Sequence, residues 1–242
     1  MEPIYRKNFS IGTADADCFG RLKPSALLSM IQEAAGWQCH DLGFGWEQLA
    51  SQGLFWAVTR HHVQISRLPR VETTVCVETW PGITSRVAYP RSSIGYDRDG
   101  NELFRVMSLW VLMDLNSRNL VLPGKSGIIV DGTVRGGELA VPGSLAPVQL
   151  NSTIQRQVVF TELDRNGHMS NTRYLDWTAD LLPSRFHQDH PIRDFTVCYL
   201  SEAREGERVD LHYELSPEGQ LRVEATRASQ THRIFAVRAA FD

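Results

Sequence analysis

One short pattern occurs twice in this chain, and it constrains the fold more than anything else. The first half contains Asp17-Cys18-Phe19-Gly20-Arg21-Leu22 and the second contains Asp164-Arg165-Asn166-Gly167-His168-Met169. Both read D-x-x-G, then one polar and one apolar residue. At the same offset each leads into a helical stripe: Leu27, Leu28, Ile31, Ala34 and Ala35 in one, and Tyr174, Leu175, Thr178, Leu181 and Leu182 in the other. That spacing lays one face of an amphipathic helix against a core, with the Thr178 methyl as its least apolar member. Pro24 suits a first helical turn, Ser170 or Asn171 is expected to cap the second helix, and Pro183 to stop it early.

Strand-like segments surround each helix. In the first half they lie near 4–12, 55–66, 71–80, 86–97 and 102–114, with Asp97-Arg98-Asp99-Gly100-Asn101 as a hairpin turn. In the second they lie near 153–162, 194–204, 207–215, 219–229 and 232–241, turning at Ser216-Pro217-Glu218-Gly219. A strand, a helix and four antiparallel strands, repeated, make an α+β plan rather than alternating βαβ units. At 242 residues the chain accommodates two such domains. We place them at 1–118 and 151–242, joined by a Gly- and Pro-rich linker at 119–150. Gly45-Trp46-Glu47-Gln48-Leu49-Ala50 predicts a short additional helix in the first domain.

Composition enters by what it excludes. No apolar run approaches the roughly 18–20 residues of a membrane span, and the N-terminal residues lack the apolar core of a secretory signal, so a cytoplasmic protein is expected. The net charge of -3, with no long run of one sign, gives no indication of a nucleic-acid partner. Cys18, Cys39, Cys76 and Cys198 are scattered without a C-x-x-C pair, which speaks against a zinc knuckle or a redox motif. His187-Gln188-Asp189-His190 is the nearest metal-like cluster. It reads as a solvated loop, because no further ligand sits at a suitable spacing. His61 and His62 are adjacent on a strand and must face opposite ways.

Serine-elbow, phosphate-loop, dinucleotide and zincin signatures are absent. What remains is the second D-x-x-G segment. If its backbone is extended, Asp164, Asn166 and His168 project to one side, just before the N-H groups and positive end of a helix. Such a set can polarise a carbonyl and position water; equally, Asp164 and Asn166 can simply build a turn. The first half carries Phe19, Arg21 and Pro24 where the second has Asn166, His168 and Asn171. The aspartate, glycine and stripe are common to both copies, and the additional polar set belongs to one, which favours a single site. Glu202, aligned with Gln64, is a further ionisable group confined to the second half.

The run Glu162-Leu163-Asp164-Arg165-Asn166-Gly167-His168-Met169-Ser170-Asn171-Thr172-Arg173-Tyr174 resembles the D-x-N-x-H-x-x-N-x-x-Y segment of acyl-acyl carrier protein thioesterases. The family's catalytic glutamate matches Glu202, and the similarity extends through Asp17 to Ala35, Glu78-Thr79-Trp80-Pro81 and Ser108-Leu109-Trp110-Val111. The resemblance implies two fused hotdog domains, no metal and no cofactor, and hydrolysis of fatty acyl thioesters carried by acyl carrier protein. It implies that the first domain grips the acyl chain, for which we single out Leu27, Ile31, Ala34 and Ala35. The catalytic set would be Asp164, Asn166, His168 and Glu202, with Glu202 as leading general base. Some members have cysteine after that glutamate; here it is Ala203, which favours direct attack by water. An acyl-coenzyme A thioesterase and a 3-hydroxyacyl dehydratase are the nearest rival enzymes. A non-catalytic acyl-binding regulator would need a DNA-binding segment, and none is apparent. The sequence leaves chain length, carrier and oligomeric state open, a homodimer included.

Overall fold

Each D-x-x-G turn lies between the first strand of its unit and the helix that follows, with a short 3₁₀ turn before it. The computed structural model describes residues 4–228 and 230–242, in two compact units, Met1–Pro142 and Gly143–Asp242.

The first unit begins with β1 (Tyr5–Ser10), a 3₁₀ turn and the long helix α1 (Pro24–Asp41), with Pro24 in its first turn. The stripe is buried as its spacing requires: Leu27, Leu28 and Ala34 have no exposed surface, and Ile31 and Ala35 almost none. Burying each leucine contributes roughly 2 kcal/mol. The short helix α2 (Trp46–Ala50) lies where it was expected. Strands β2 (Leu54–Ile65), β3 (Thr74–Pro81), β4 (Tyr89–Tyr96) and β5 (Glu102–Asp114) complete an antiparallel sheet in the order β1-β3-β4-β5-β2. A two-residue strand, β6 (Leu120–Val121), pairs with β5, and one helical turn, α3 (Pro123–Ser126), follows. The next stretch lies against this unit. The Thr133 N-H donates to the Pro81 carbonyl at 2.8 Å, and Arg135 pairs with Glu78 at 2.6 Å.

The second unit repeats the plan. Its strands are β7 (Ser152–Gln157), β8 (Ile192–Tyr199), β9 (Arg208–Leu215), β10 (Gln220–Arg227) and β11 (Arg233–Phe241), in the order β7-β9-β10-β11-β8. Position by position this is the strand order of the first unit, all antiparallel. The fold is α+β, a hotdog plan in each half.

Three local expectations need correction. The second helix, α4 (Arg173–Ala179), has only seven residues, so Leu181 and Leu182 lie beyond it, although Leu181 is still buried. Its N-cap position is Thr172, which makes no side-chain capping bond, so neither Ser170 nor Asn171 serves as the cap. His187 lies in a helix, α5 (Ser184–Asp189), rather than a loop. Its Nε2 is 2.9 Å from the Ala179 carbonyl, and His190 Nδ1 is 2.6 Å from the backbone oxygen of Asp242. These imidazoles tie a helix to its neighbours. Among the described residues no group of three or more His, Cys, Asp or Glu side chains is placed to hold a metal ion.

Candidate active site

The two D-x-x-G segments fold into the same turn, and this explains why both keep the aspartate and the glycine. In the first, Asp17 Oδ1 accepts the N-H groups of Phe19 and Arg21, both at 2.9 Å, while the Asp17 N-H donates to the Arg21 carbonyl at 2.7 Å. In the second, Asp164 Oδ1 accepts from Asn166 at 2.8 Å and His168 at 3.4 Å, and the Asp164 N-H donates to the His168 carbonyl at 2.7 Å. Gly20 and Gly167 sit at φ 72° and 76°, in the left-handed region that glycine enters without strain. The segment is therefore a closed turn, not the extended run that would align residues 164, 166 and 168. Asp164 spends one carboxylate oxygen on backbone amides. It shapes the turn that presents His168.

What differs between the copies is what each turn displays. In the first unit Arg21 folds back onto Asp17, Nε to Oδ2 at 3.0 Å, and stacks over Phe19 with its guanidinium carbon 4.8 Å from the ring centre. In the second, His168 turns inward and is almost buried. Its Nε2 lies 3.2 Å from Oε2 of Glu202. Asn166 is exposed, and its carboxamide has no hydrogen-bond partner among the described residues. The structure thus brings His168 and Glu202 together, links Asp164 to both Asn166 and His168 through the backbone, and leaves the Asn166 side chain facing solvent.

Glu202 is not a strand residue. β8 ends at Tyr199, and Glu202 stands on the loop that follows, whereas Gln64 lies inside β2. The neighbouring Ala203 is fully buried, and its carbonyl accepts the Met169 N-H at 2.8 Å, which joins the two halves of the site. Beneath them lies an aromatic floor. Tyr174 of α4 packs on Phe235 with ring centres 4.5 Å apart and lies 5.9 Å from Tyr199. Burial pushes the Tyr174 and Tyr199 hydroxyls above their ordinary pKa, so both remain protonated at neutral pH.

Several backbone donors leading into α4 are already bonded. The N-H groups of Met169, Ser170, Arg173 and Leu175 bond to the carbonyls of Ala203, Glu162, Ser170 and Thr172.

The first unit holds a cavity of about 190 Å³. Its walls include Ala35, Trp56, Tyr89, Trp110 and Val130, and one polar face is formed by Arg91. The buried Arg91 guanidinium donates to Gln38 Oε1 at 2.6 Å and Thr79 Oγ1 at 3.2 Å, and lies 3.6 Å from Cys39 Sγ. Of the stripe, Ala35 lines this cavity; Leu27, Ile31 and Ala34 are packed into the core and are not among its lining residues. Trp56, Tyr89 and Trp110 were missed in the sequence because alternation along a strand marks an inward face without distinguishing core from cavity wall.

A family model described as the acyl-ACP thioesterase N-terminal domain matches residues 2–122, and one described as the C-terminal domain matches residues 147–240. The dodecanoyl-[acyl-carrier-protein] hydrolase of Cinnamomum camphora is 27% identical over 215 residues, covering 82% of this chain and 56% of that protein. The palmitoyl-acyl carrier protein thioesterase of Gossypium hirsutum is 24% identical over 214 residues, covering 82% and 52%. Both relatives are described as chloroplastic, and the chain spans about half their length. The fold superposes on the crystal structure of an acyl-ACP thioesterase from Bacteroides thetaiotaomicron with a TM-score of 0.88 at 23% identity, covering 99% of this chain and 98% of the other. For the 12:0-ACP thioesterase from Umbellularia californica the TM-score is 0.83 at 22% identity, covering 100% and 98%.

Proposed function

The chain belongs to the acyl-ACP thioesterase family, and from that premise we propose that it hydrolyses the thioester joining a fatty acyl chain to acyl carrier protein. The observation that carries this reading is the His168–Glu202 pair, which the first unit lacks although it builds the same turn. Glu202 is the general base. Its side chain is 45% exposed against 11% for His168, so water reaches the carboxylate. The His168 Nε2-H holds the carboxylate in place, and the carboxylate takes a proton from water. The hydroxide oxygen adds to the acyl carbon, and the electron pair moves to the carbonyl oxygen. On collapse the carbon–sulfur bond breaks, the acid is released, and the carrier thiolate takes the proton held by Glu202, which restores the carboxylate. Asn166, exposed beside this pair, steadies the developing oxyanion. Asp164 holds the turn that places both.

The apolar cavity of the first unit receives the acyl chain. Apolar walls gain about 0.8 kcal/mol for each methylene buried, which is the means by which a featureless chain is gripped. The four cysteines are all free thiols, in keeping with a reducing compartment, and we place the protein in the cytoplasm. No helix among the described residues is long and apolar enough to cross a membrane.

The test is a panel of acyl carrier protein thioesters of increasing chain length, measured beside the matching coenzyme A esters and a 3-hydroxyacyl thioester. Free fatty acid should appear fastest from the carrier protein esters. Preference for coenzyme A esters, or conversion of the hydroxyacyl substrate to an enoyl product, would overturn the assignment.

A further inference from the structure

The loop that carries Glu202 has no regular secondary structure, yet its backbone is held along its length. The N-H groups of Leu200 and Ser201 donate to the Ile234 carbonyl at 2.8 and 3.1 Å, and Ser201 Oγ donates to the Arg233 carbonyl at 3.1 Å. The Ala203 carbonyl accepts from Met169, the Gly206 N-H donates to Val158, and the Val158 N-H donates to the Glu207 carbonyl. The carbonyl of Glu202 itself is taken by a side chain from a different strand. Arg227, the last residue of β10, donates from Nη2 to the Glu202 backbone oxygen at 2.7 Å. The same guanidinium donates from Nε to Glu207 Oε2 at 3.0 Å.

One planar group therefore bridges both ends of the loop, and it fixes the peptide plane between Glu202 and Ala203. Because Ala203 is fully buried, the direction of that plane sets where the Glu202 side chain leaves the backbone. A guanidinium presents several donors in a rigid fork, which a lysine ammonium cannot reproduce at both acceptors together. Arg227 is 30% exposed, so its place can be reached from solvent. We propose that Arg227 is a positioning residue for the hydrolytic reaction: it acts through the Glu202 carbonyl to hold the carboxylate against His168. This rests on the reading of Glu202 as the base.

Displacing a reacting group by about 1 Å can lower a rate on the order of a hundredfold. Arg227→Ala is therefore expected to lose kcat by roughly 10- to 100-fold, with KM within about twofold and the melting temperature little changed. Arg227→Lys should fall between Ala and wild type. Guanidinium ion at non-denaturing concentration should restore much of the kcat of Arg227→Ala and leave wild type unaffected. A merely structural arginine would not show that rescue. Glu202→Gln is measured in parallel. If it is inactive while Arg227→Ala and Arg227→Lys turn over like wild type, the positioning role is wrong and the site assignment stands. If Glu202→Gln retains full activity, the assignment of the base fails and the role of Arg227 fails with it. Joint loss of kcat and thermal stability in both Arg227 variants, without rescue, would make the residue a fold element and overturn the proposal.

Discussion

His168 Nε2 and Glu202 Oε2 lie 3.2 Å apart, one on the turn before α4 and the other on the loop after β8. The two segments are stitched beside this pair by the Met169 N-H on the Ala203 carbonyl. The first unit has the same turn with the same aspartate bonding, but Arg21 there closes onto Asp17, and the position aligned with Glu202 is Gln64, inside β2. Two copies of one scaffold thus share what the turn needs and differ in the side chains that the turn presents.

Substituting the paired residues tests that separation. His168→Ala, Glu202→Ala and Asn166→Ala are each expected to lower kcat by about two orders of magnitude or more, the usual effect of losing a positioned acid–base or oxyanion group. Circular dichroism and melting temperature should stay near wild type for the exposed Asn166 and Glu202. Arg21→Ala and Gln64→Ala should leave kcat within a few-fold. Equal losses from both sets, at equal stability, would rule out a single site in the second unit.

The cysteines are expected to be dispensable. Residue 203 is a buried alanine, and the four thiols are spread over both units, with Cys18 exposed and Cys198 fully buried. A variant with Cys18, Cys39, Cys76 and Cys198 all changed to Ser or Ala should keep most of its activity. Cys198→Ser should account for most of any drop in melting temperature, because it places a hydroxyl in a fully buried position. Capture of an acyl group on any cysteine, seen by mass spectrometry of the denatured enzyme, would refute attack by water.

The repeat was legible in the sequence because a D-x-x-G turn imposes a local bonding pattern that short-range residue types report directly. The strands of both units were legible for a similar reason, since alternation survives wherever one face is buried. The site was less so. An expectation of extended backbone at 164–168 failed because the aspartate bonds its own turn, a choice between two local structures that periodicity does not register. Glu202 looked like a strand residue because it follows closely on the strand-like run Phe195 to Leu200, and nothing local marks the end of the ladder at Tyr199. Arg227 was invisible. Its partners lie 20 and 25 positions away, and only the register of β10 against β9 brings it to the loop.

Buried His61 gives the first unit a pH-dependent stability. Its ring is fully enclosed, with Nδ1 2.8 Å from Ser108 Oγ, and burial alone lowers its pKa from 6.5 to about 3. In the unfolded chain the imidazole takes up a proton near 6.5, and in the folded protein only near 3. Between those values the unfolded state holds the additional proton, so stability falls as pH falls, by up to about 1.4 kcal/mol per pH unit from this residue. His61→Gln keeps a polar partner for Ser108 and removes the titration. Urea melts at pH 7 and pH 5 should show wild type losing more stability than the variant, by roughly 2 kcal/mol. Equal losses would mean that the ring is hydrated and titrates normally.

Chain-length selectivity should respond to Ala35 and not, in the same way, to its neighbour Ala34. Both are buried on α1, but only Ala35 lines the cavity; Ala34 is packed with no exposed surface. A pocket can measure an alkyl chain only by depth, because each added methylene looks like the last. Every two-carbon step that fits adds about 1.6 kcal/mol, or roughly fifteenfold in kcat/KM, until the chain meets a wall. Ala35→Leu or Ala35→Phe moves that wall inward. Long acyl carrier protein esters should then lose most, and esters too short to reach position 35 should react at nearly the wild-type rate. Ala34→Leu instead forces bulk into closed core, which costs typically 1–3 kcal/mol of stability and lowers activity with little regard to length. The quantity to compare is the ratio of kcat/KM for long and short esters in wild type and each variant. If Ala35 and Ala34 variants shift that ratio alike, or neither shifts it, the acyl chain does not lie in this cavity.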